Sequence, residues 1–502
     1  MRFTLISPRL AVQKGDFLGS GVPYWPVELA VAAAFLREAH HSVTVIDLFG
    51  SNPTRFEEME DHYLQGERLD SFLGSSQFHA TEVFMLFAIS YMSHSELIDI
   101  AKSIRKRRAD AKIVCLENSQ AVTAYSLKDV QEDFFDAEVD ALICGEIYWN
   151  WDELEDFLAK DVDRAIPCNV IVSSHGESHV PERKFAKSSS YPVPAWDLFN
   201  LQGYWSLPYS HGPKRAKRFL PILTSRGCPY PCDFCVVPET NNLRWRSRPA
   251  ADVVAEMIHL RDHFQVRHFQ VEDLNPTVKG SRWLEICELL KQRQADVTFA
   301  IVSGTKAETV KVEHIPLYAS AGCQYMSFSP ESGSAKVLKR IGKPFDYDHA
   351  IELIEACRKN EIHTQACLLV GHPTETHEDH CLSLSYLRRM VRAGLDEVAI
   401  FVVSPLAGSK VYREKTITLR SDGALPSFSP KGRDGWEVLE ERRNELLRCY
   451  FLEKLKRGTD LWRQGLRAIL GRPRTKMENL PLRVVFVLLH ILKCKARSFS
   501  VA

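Results

Sequence analysis

Three cysteines carry the clearest chemistry in this chain of 502 residues. Cys228, Cys232 and Cys235 stand in the run Leu223-Thr-Ser-Arg-Gly-Cys-Pro-Tyr-Pro-Cys-Asp-Phe-Cys235, a C-x3-C-x2-C array. Three thiolates in one short loop can ligate three irons of a [4Fe–4S] cluster. The fourth iron is then open to a small molecule, whereas a simple electron carrier takes four thiolates. Thirteen cysteines among 502 residues would rarely fall this way by chance. Structural zinc is the bland alternative, but such sites usually draw four ligands from two C-x2-C or Cys/His pairs, and no second pair follows. The remaining cysteines are scattered and read as small buried hydrophobes.

The array resembles the signature of the radical S-adenosylmethionine (radical SAM) enzymes, C-x3-C-x-aromatic-C, with Phe234 as the aromatic. The leading Thr-Ser-Arg-Gly-Cys-Pro-Tyr is typical of the subgroup that carries an N-terminal cobalamin-binding domain, the class B methyltransferase-like enzymes. The resemblance implies that SAM chelates the open iron and is reductively cleaved to a 5′-deoxyadenosyl radical. It further implies a flavodoxin- or ferredoxin-type electron donor. The cofactors supply that chemistry and the protein supplies position and shielding.

The elements that must position the array come next. Residues 1–160 alternate apolar strands with helices: Phe3–Ile6, a helix after Pro26, Ser42–Asp47, Phe84–Ser90, Lys112–Glu117, Asp140–Gly145 and a helix over Trp151–Leu158. That pattern predicts a doubly wound parallel sheet of Rossmann-like α/β type. Ligands bind such sheets beyond the carboxyl ends of the strands, which points to Ser7, Ser90, Glu117, Gly145 and Glu146. The stretch resembles the cobalamin-binding domain of the same subgroup through Pro-x-x-Leu-Ala-x-x-Ala-x-x-Leu and Val-Ile-Asp47. Its Gly-Glu-x-Glu element is reduced to Gly145-Glu146-Ile-Tyr-Trp, and Asp-x-His-x-x-Gly is absent. The bland reading is a Rossmann-like domain that has lost its ligand.

Residues 161–218 read as an extended linker, with two prolines after Lys187-Ser-Ser-Ser and a basic run Lys214–Arg218. That run is a solvated loop edge, or it meets an anionic substrate or the electron donor. Residues 219–415 give six further strand–helix units, a partial (β/α)6 TIM-like barrel whose chemistry belongs on the loops after the strands. By resemblance, Glu272 and Asp273 face the SAM amino group, Glu331 and Ser332 hold the ribose, and Gly371 and Pro373 lie near the adenine. His372 reads as a local turn residue, with proton donation as the other reading. Lys339, Arg340 and Lys343 read as solvated. The run Arg244-Trp-Arg246-Ser-Arg248 positions the SAM carboxylate or caps the next helix.

Residues 416–502 form a helical C-terminal region, with a helix over Trp436–Lys456. Leu480–Leu492 is apolar but too short to span a bilayer. It packs on the barrel or, being basic, lies on a membrane surface. Composition bounds the rest. Charged side chains balance at 64 basic and 64 acidic, which argues against nucleic acid as a partner. No signal peptide or transmembrane run is evident, and thirteen cysteines then predict reduced thiols in the cytoplasm. The resemblance implies a cobalamin-dependent radical SAM methyltransferase acting on an unactivated carbon of a small molecule or natural product. A radical cyclisation, ring contraction or other rearrangement without methyl transfer uses the same residues. A non-catalytic iron–sulfur or corrinoid sensor is the reading from another class.

Overall fold

The computed structural model describes residues 1–16, 19–159, 166–173, 191–419 and 430–501. Of the expected linker, residues 161–165 and 174–190, with the Lys187–Ser190 run, lie outside the described residues.

The N-terminal part contains β1 (Arg2–Ser7), β2 (Leu10–Gln13), β3 (Ser42–Asp47), β4 (Phe56–Glu58), β5 (His62–Gln65), β6 (Val83–Ala88), β7 (Lys112–Glu117), β8 (Ala141–Ile143) and β9 (Val170–Val172). Six of them form one sheet in the order β3-β1-β6-β7-β8-β9. The central strands are continuous apolar runs because both faces are covered; every residue of β6 is buried. The Val27–Glu38 helix, rich in alanine and buried along most of its length, lies against this sheet. The chain winds outward in both directions from β1, so the crevice between the carboxyl ends of β1 and β6 is the switch point.

Two expectations need correction here. The sheet is not wholly parallel, because β9 pairs antiparallel with β8, Ala141 opposite Val172. A second, three-stranded antiparallel sheet, β2-β5-β4, was not foreseen. Its strands have three or four residues each, too few to show a period.

The central part contains β10 (Leu220–Ile222), β11 (Ser225–Arg226), β12 (Arg246–Ser247), β13 (His268–Val271), β14 (Thr298–Thr305), β15 (Cys323–Glu331), β16 (His363–Val370) and β17 (Glu397–Val402). A six-stranded parallel sheet runs in chain order, β10-β13-β14-β15-β16-β17. Helices connect its strands, among them Ala250–Phe264, Gly280–Gln292, Tyr347–Lys359 and His377–Ala393. Helices Trp436–Leu455, Asp460–Ile469 and Lys476–Val501 follow.

The stretch read as an extended linker is folded where it is described. It supplies β9, a helix Leu201–Ser206 and a set of buried aromatics. Trp25 stacks on Tyr204 at 3.9 Å and meets Trp196 and Phe219 edge-on at 5.6 and 5.7 Å. The Tyr204 hydroxyl donates to Asp47 at 2.8 Å. Large aromatic side chains bury too much apolar surface to be left along an open linker.

Gly203 marks how close this packing is: a Cβ there would lie 1.9 Å from the Gly50 carbonyl oxygen. Gly203→Ala forces the backbones apart and is expected to cost about 1–3 kcal/mol. Thermal unfolding should show the midpoint falling by about 2–4 °C.

Candidate active site

The cysteine loop leaves the carboxyl end of β10. The short β11–β12 ladder closes its base, with Arg226 opposite Arg246. Gly227 turns with φ +72°, and a Cβ there would lie 2.0 Å from the Arg244 carbonyl oxygen. The loop is held from several sides. Asp233 N donates to Ile341 O at 3.1 Å, and Val411 N donates to Asp233 O at 3.2 Å. His372 Nε2 meets Asp233 Oδ2 at 2.9 Å, and its Nδ1 meets the Thr374 hydroxyl at 2.9 Å. His372 is therefore a turn residue that also braces the cluster loop.

Cys228, Cys232 and Cys235 are half-buried free thiols. Burial pushes all three up, Cys232 to about 12, and their mutual repulsion adds to it at Cys232 and Cys235. The Lys343 ammonium pulls all three the other way. Among the described residues, no three His, Cys, Asp or Glu side chains converge as a single ion needs. A cluster places each thiolate on its own iron.

Lys343 corrects an expectation. It is buried, and its ammonium sits 2.6 Å from Glu331 Oε1, which is also buried. A buried cation requires a partner, and Glu331 supplies it. Glu331 itself sits at φ +60° at the end of β15. The pair brings a positive charge to the three thiols without exposing it to water.

The other residues expected to hold SAM divide into two groups. Phe234 and Glu331 line a cavity that also takes in Cys235. Glu272 is close by: its Oε2 meets His211 Nδ1 at 2.6 Å, and its Oε1 is buried without a hydrogen-bond partner. Asp273, by contrast, is fully buried with both oxygens engaged. It accepts from Thr224 N at 2.6 Å, from the Thr224 hydroxyl at 2.7 Å and from the Ser225 hydroxyl at 2.5 Å. It ties β13 to β10 rather than facing a ligand. Ser332 is buried, and its hydroxyl accepts from Ser334 N. Gly371, at φ +79°, donates to Glu375 at 2.6 Å, and its carbonyl accepts from Arg433. Pro373 lies exposed beside them.

The N-terminal loops meet this site, though not through the residues expected. Ser7 is buried in register with Asp47. Ser90 caps its own turn by accepting from Met92 N, and Glu117 accepts from Leu127 N at 3.2 Å. Gly145 has open space where a Cβ would be. Glu146 is spent in an ion pair with Arg246 at 2.6 Å. The contact comes instead from the loop after β7. Gln120 Oε1 accepts from Gly227 N at 3.1 Å, and Asn241 Nδ2 donates to Ser119 O at 2.8 Å. Ala121, Val122 and Ala124 share one apolar cluster with Val236, Val237, Cys228 and Cys235. The carboxyl-end rule pointed to the loop after Glu117 as one of the ligand-side loops, but the residue singled out there was Glu117 itself. Ser119, Gln120 and the apolar residues after them were not singled out, because small and polar residues carry no ligand pattern.

A buried ion network ties the same two parts together. Arg226, two residues before Cys228, is fully buried and pairs with Glu28 at 2.6 Å, with Glu146 at 3.6 Å. Its guanidinium lies over the Tyr191 ring at 4.3 Å, and Arg248 lies over the same ring at 4.4 Å. Burial raises Glu28, and the arginines oppose that shift. Of the run Arg244–Arg248, Arg246 pairs with Glu146 and Arg248 with Glu256.

The cavity beside Cys235 holds about 330 Å³. It is walled by residues from both sheets: Tyr24, Met92 and Thr123 from the N-terminal loops, and Ser329, Glu331 and Ser404 from the central one. Thr123 Oγ1 and Ser404 Oγ are buried there without a partner. Polar groups left open between two sets of carboxyl-end loops fit a cofactor lodged between the sheets.

Residues 222–387 match the family model described as the Radical SAM superfamily. The cytidylyl-2-hydroxyethylphosphonate methyltransferase of Streptomyces wedmorensis is 29% identical over 235 residues, covering 44% of this chain and 42% of that protein. This chain thus spans less than half of that relative's length. An uncharacterized methyltransferase of Pyrococcus horikoshii is 22% identical over 338 residues, 62% of this chain and 71% of that protein. The cobalamin-dependent S-adenosylmethionine radical enzyme OxsB, solved with aqua-cobalamin and S-adenosylmethionine bound, superposes with a TM-score of 0.64 at 15% identity. That match covers 100% of this chain and 80% of OxsB, and it shows a shared fold.

Arg226→Met removes the cation from between two buried carboxylates and is expected to cost about 3–5 kcal/mol. Adding Glu28→Gln should recover at least about 1 kcal/mol, because it removes one of the stranded charges. Urea unfolding of the two single variants and the double variant checks both signs.

Proposed function

We propose that this protein, whose residues 222–387 are a radical SAM domain, is a cobalamin-dependent radical SAM methyltransferase acting on an unactivated carbon of a small molecule. Residues 1–160 are its cobalamin-type domain, residues 219–415 a partial (β/α)6 barrel and residues 416–502 a helical region on the substrate side. We place it in the cytoplasm with a flavodoxin- or ferredoxin-type donor. The observation that carries the reading is the junction itself. A C-x3-C-x2-C loop at the end of β10 opens onto a cavity whose walls come from the carboxyl-end loops of both sheets.

When bound, the cluster and SAM supply hydrogen abstraction by a one-electron route, and the corrinoid supplies methyl transfer. The chain's own residues set the conditions. Cys228, Cys232 and Cys235 would hold three irons. Lys343 offsets the charge of the three thiolates, and Glu331 holds its ammonium in place at 2.6 Å. Glu331, Phe234 and the free Oε1 of Glu272 would line SAM, and the Gly371–Pro373 turn would bound it. Asp273 keeps β10 and β13 in register beneath it. Met92, Val122 and Thr123 would meet the corrinoid face. Ala121, Val122 and Ala124 pack in one apolar cluster with two of the three thiols, Cys228 and Cys235.

Anaerobic purification from cobalamin-fed cells, with metal and corrinoid counted, tests the reading. About four irons and one corrinoid per chain are expected. With a strong reductant, the protein should convert SAM to 5′-deoxyadenosine. Cys232→Ala should lower iron to about one per chain or less and abolish that conversion, with the circular dichroism spectrum unchanged. Iron without corrinoid, or no SAM cleavage by the iron-replete protein, removes the methyltransferase reading.

A further inference from the structure

The apolar side chains left in water are gathered in one region. Of the sixteen large apolar side chains exposed among the described residues, thirteen lie between Val438 and Leu492. The Asp460–Ile469 helix shows the pattern best. Trp462, Leu466, Ile469 and the following Leu470 fall on one face and are 78%, 57%, 83% and 61% exposed, while Gln464 and Ala468 are buried behind them. The Lys476–Val501 helix adds Leu482, Val485, Leu489 and Leu492 in the same state. Its other face is used: Val487 and Ile491 pack on Val12, Phe56 and Tyr63 of the small antiparallel sheet.

A basic cavity of about 430 Å³ adjoins this face. Lys214, Arg215, Lys217, Arg472 and Arg474 line it, and no carboxylate does. Leu482 belongs both to the cavity wall and to the exposed apolar face. The cavity is built rather than incidental. The Lys214 ammonium donates to Trp205 O at 2.6 Å, Arg215 donates to Gln324 O at 3.2 Å, and both side chains lose part of their hydration, which pulls their pKa values down to about 8 and about 10. Asn479 is 3% exposed, and both polar atoms of its amide are without a partner. It lines this cavity and the inner cavity beside Cys235 alike.

We propose that the exposed face of these two helices and the basic cavity together dock the protein on an anionic lipid surface, the apolar side chains entering the bilayer interface and the cavity taking a headgroup phosphate. Charge decides this occupant over a second copy of the chain. From residue 451 onward there are twelve Lys and Arg against three acids. All three acids are already paired: Glu453 with Lys456, Asp460 with Arg457, and Glu478 with Arg467. A two-fold interface would set this basic rim against itself, whereas a leaflet of anionic lipids complements it. A tryptophan beside aliphatic side chains on a basic helix suits the interfacial depth. Among the described residues, no helix is long and apolar enough to cross a membrane, so the contact is one of surface docking.

Flotation of the full chain with vesicles tests this, and the readout is independent of cofactor content and activity. Vesicles with about 30% phosphatidylglycerol should bind at least tenfold more tightly than pure phosphatidylcholine at 0.1 M salt. Trp462→Ser with Ile469→Ser should weaken binding by about tenfold or more. Arg472→Ala with Arg474→Ala should narrow the anionic-to-neutral ratio by about tenfold. All four side chains are exposed, so folding should be kept, and melting midpoints confirm it. Equal binding to the two vesicle types overturns the proposal, as does binding that ignores both variants. A dimer in sedimentation that Trp462→Ser with Ile469→Ser dissolves also overturns it and gives the face to a second copy.

Discussion

One buried guanidinium sets the terms for the rest of the molecule. Arg226 has no exposure to water, and a charge cannot be taken into a protein interior without partners; the effective cost is several kcal/mol per ion. Its partners come from elsewhere in the chain. Glu28 opens the first long helix and Glu146 follows β8, both in the N-terminal part. Arg226 itself is the last residue before the Gly227 turn into the cysteine loop. The requirement to neutralise one arginine therefore fixes where the first sheet sits against that loop. Tyr191 and Arg248 extend the arrangement toward Glu256, which Arg248 meets at 2.5 Å. The network spans both parts, so the cavity between them is a property of the whole chain.

Within that frame the cysteine loop is held by contacts of modest individual strength. Backbone bonds reach it from Ile341 and Val411, a side-chain amide from Gln120, and an imidazole from His372. Each such bond contributes only about 1 kcal/mol net, but they arrive from four separate segments. The loop is therefore held from both parts of the chain, and burial favours the protonated form of its thiols. Metal binding must displace those protons. The Lys343 ammonium lowers the cost of doing so at all three thiols. Its pairing with Glu331 leaves the local charge near neutral until the thiolates form.

What the sequence revealed follows the range of the interaction. The parallel strands of the two large sheets were legible because most are apolar runs flanked by helical periodicity, whereas the antiparallel β9 fell in the stretch read as a linker. The cysteine array was legible because its spacing is local. The errors lie with side chains whose partners are far away in the chain. Glu146 reads as part of a ligand loop, yet its partners are Arg226 and Arg246. Asp273 reads as a carboxylate at a strand end, yet the end of β10 claims both its oxygens. Lys343 looks like one more surface lysine beside Lys339 and Arg340, until folding brings it back to Glu331. The β2-β5-β4 sheet failed for a different reason, since three-residue strands such as Phe56–Glu58 carry no readable period.

The tail is built into the central sheet rather than appended to it. The Lys476–Val501 helix starts inside the central sheet: Met477 N donates to Glu397 Oε2 at 2.7 Å, and Lys476 donates to Val302 O and Gln365 Oε1. Glu397 also accepts from Tyr325 and from Gln365 Nε2 at 3.1 Å, and Ser327 donates to Gln365 at 2.9 Å. These groups belong to the interior of the sheet, where a packed apolar core would be the simpler solution. They bond to one another, and the tail adds a backbone amide to Glu397 Oε2 and an ammonium to Gln365 Oε1. The inner cavity is finished by Lys476, Met477, Asn479 and Arg483, residues that lie beyond the 222–387 segment shared with the family. The tail thus completes one wall of the cavity onto which the cysteine loop opens.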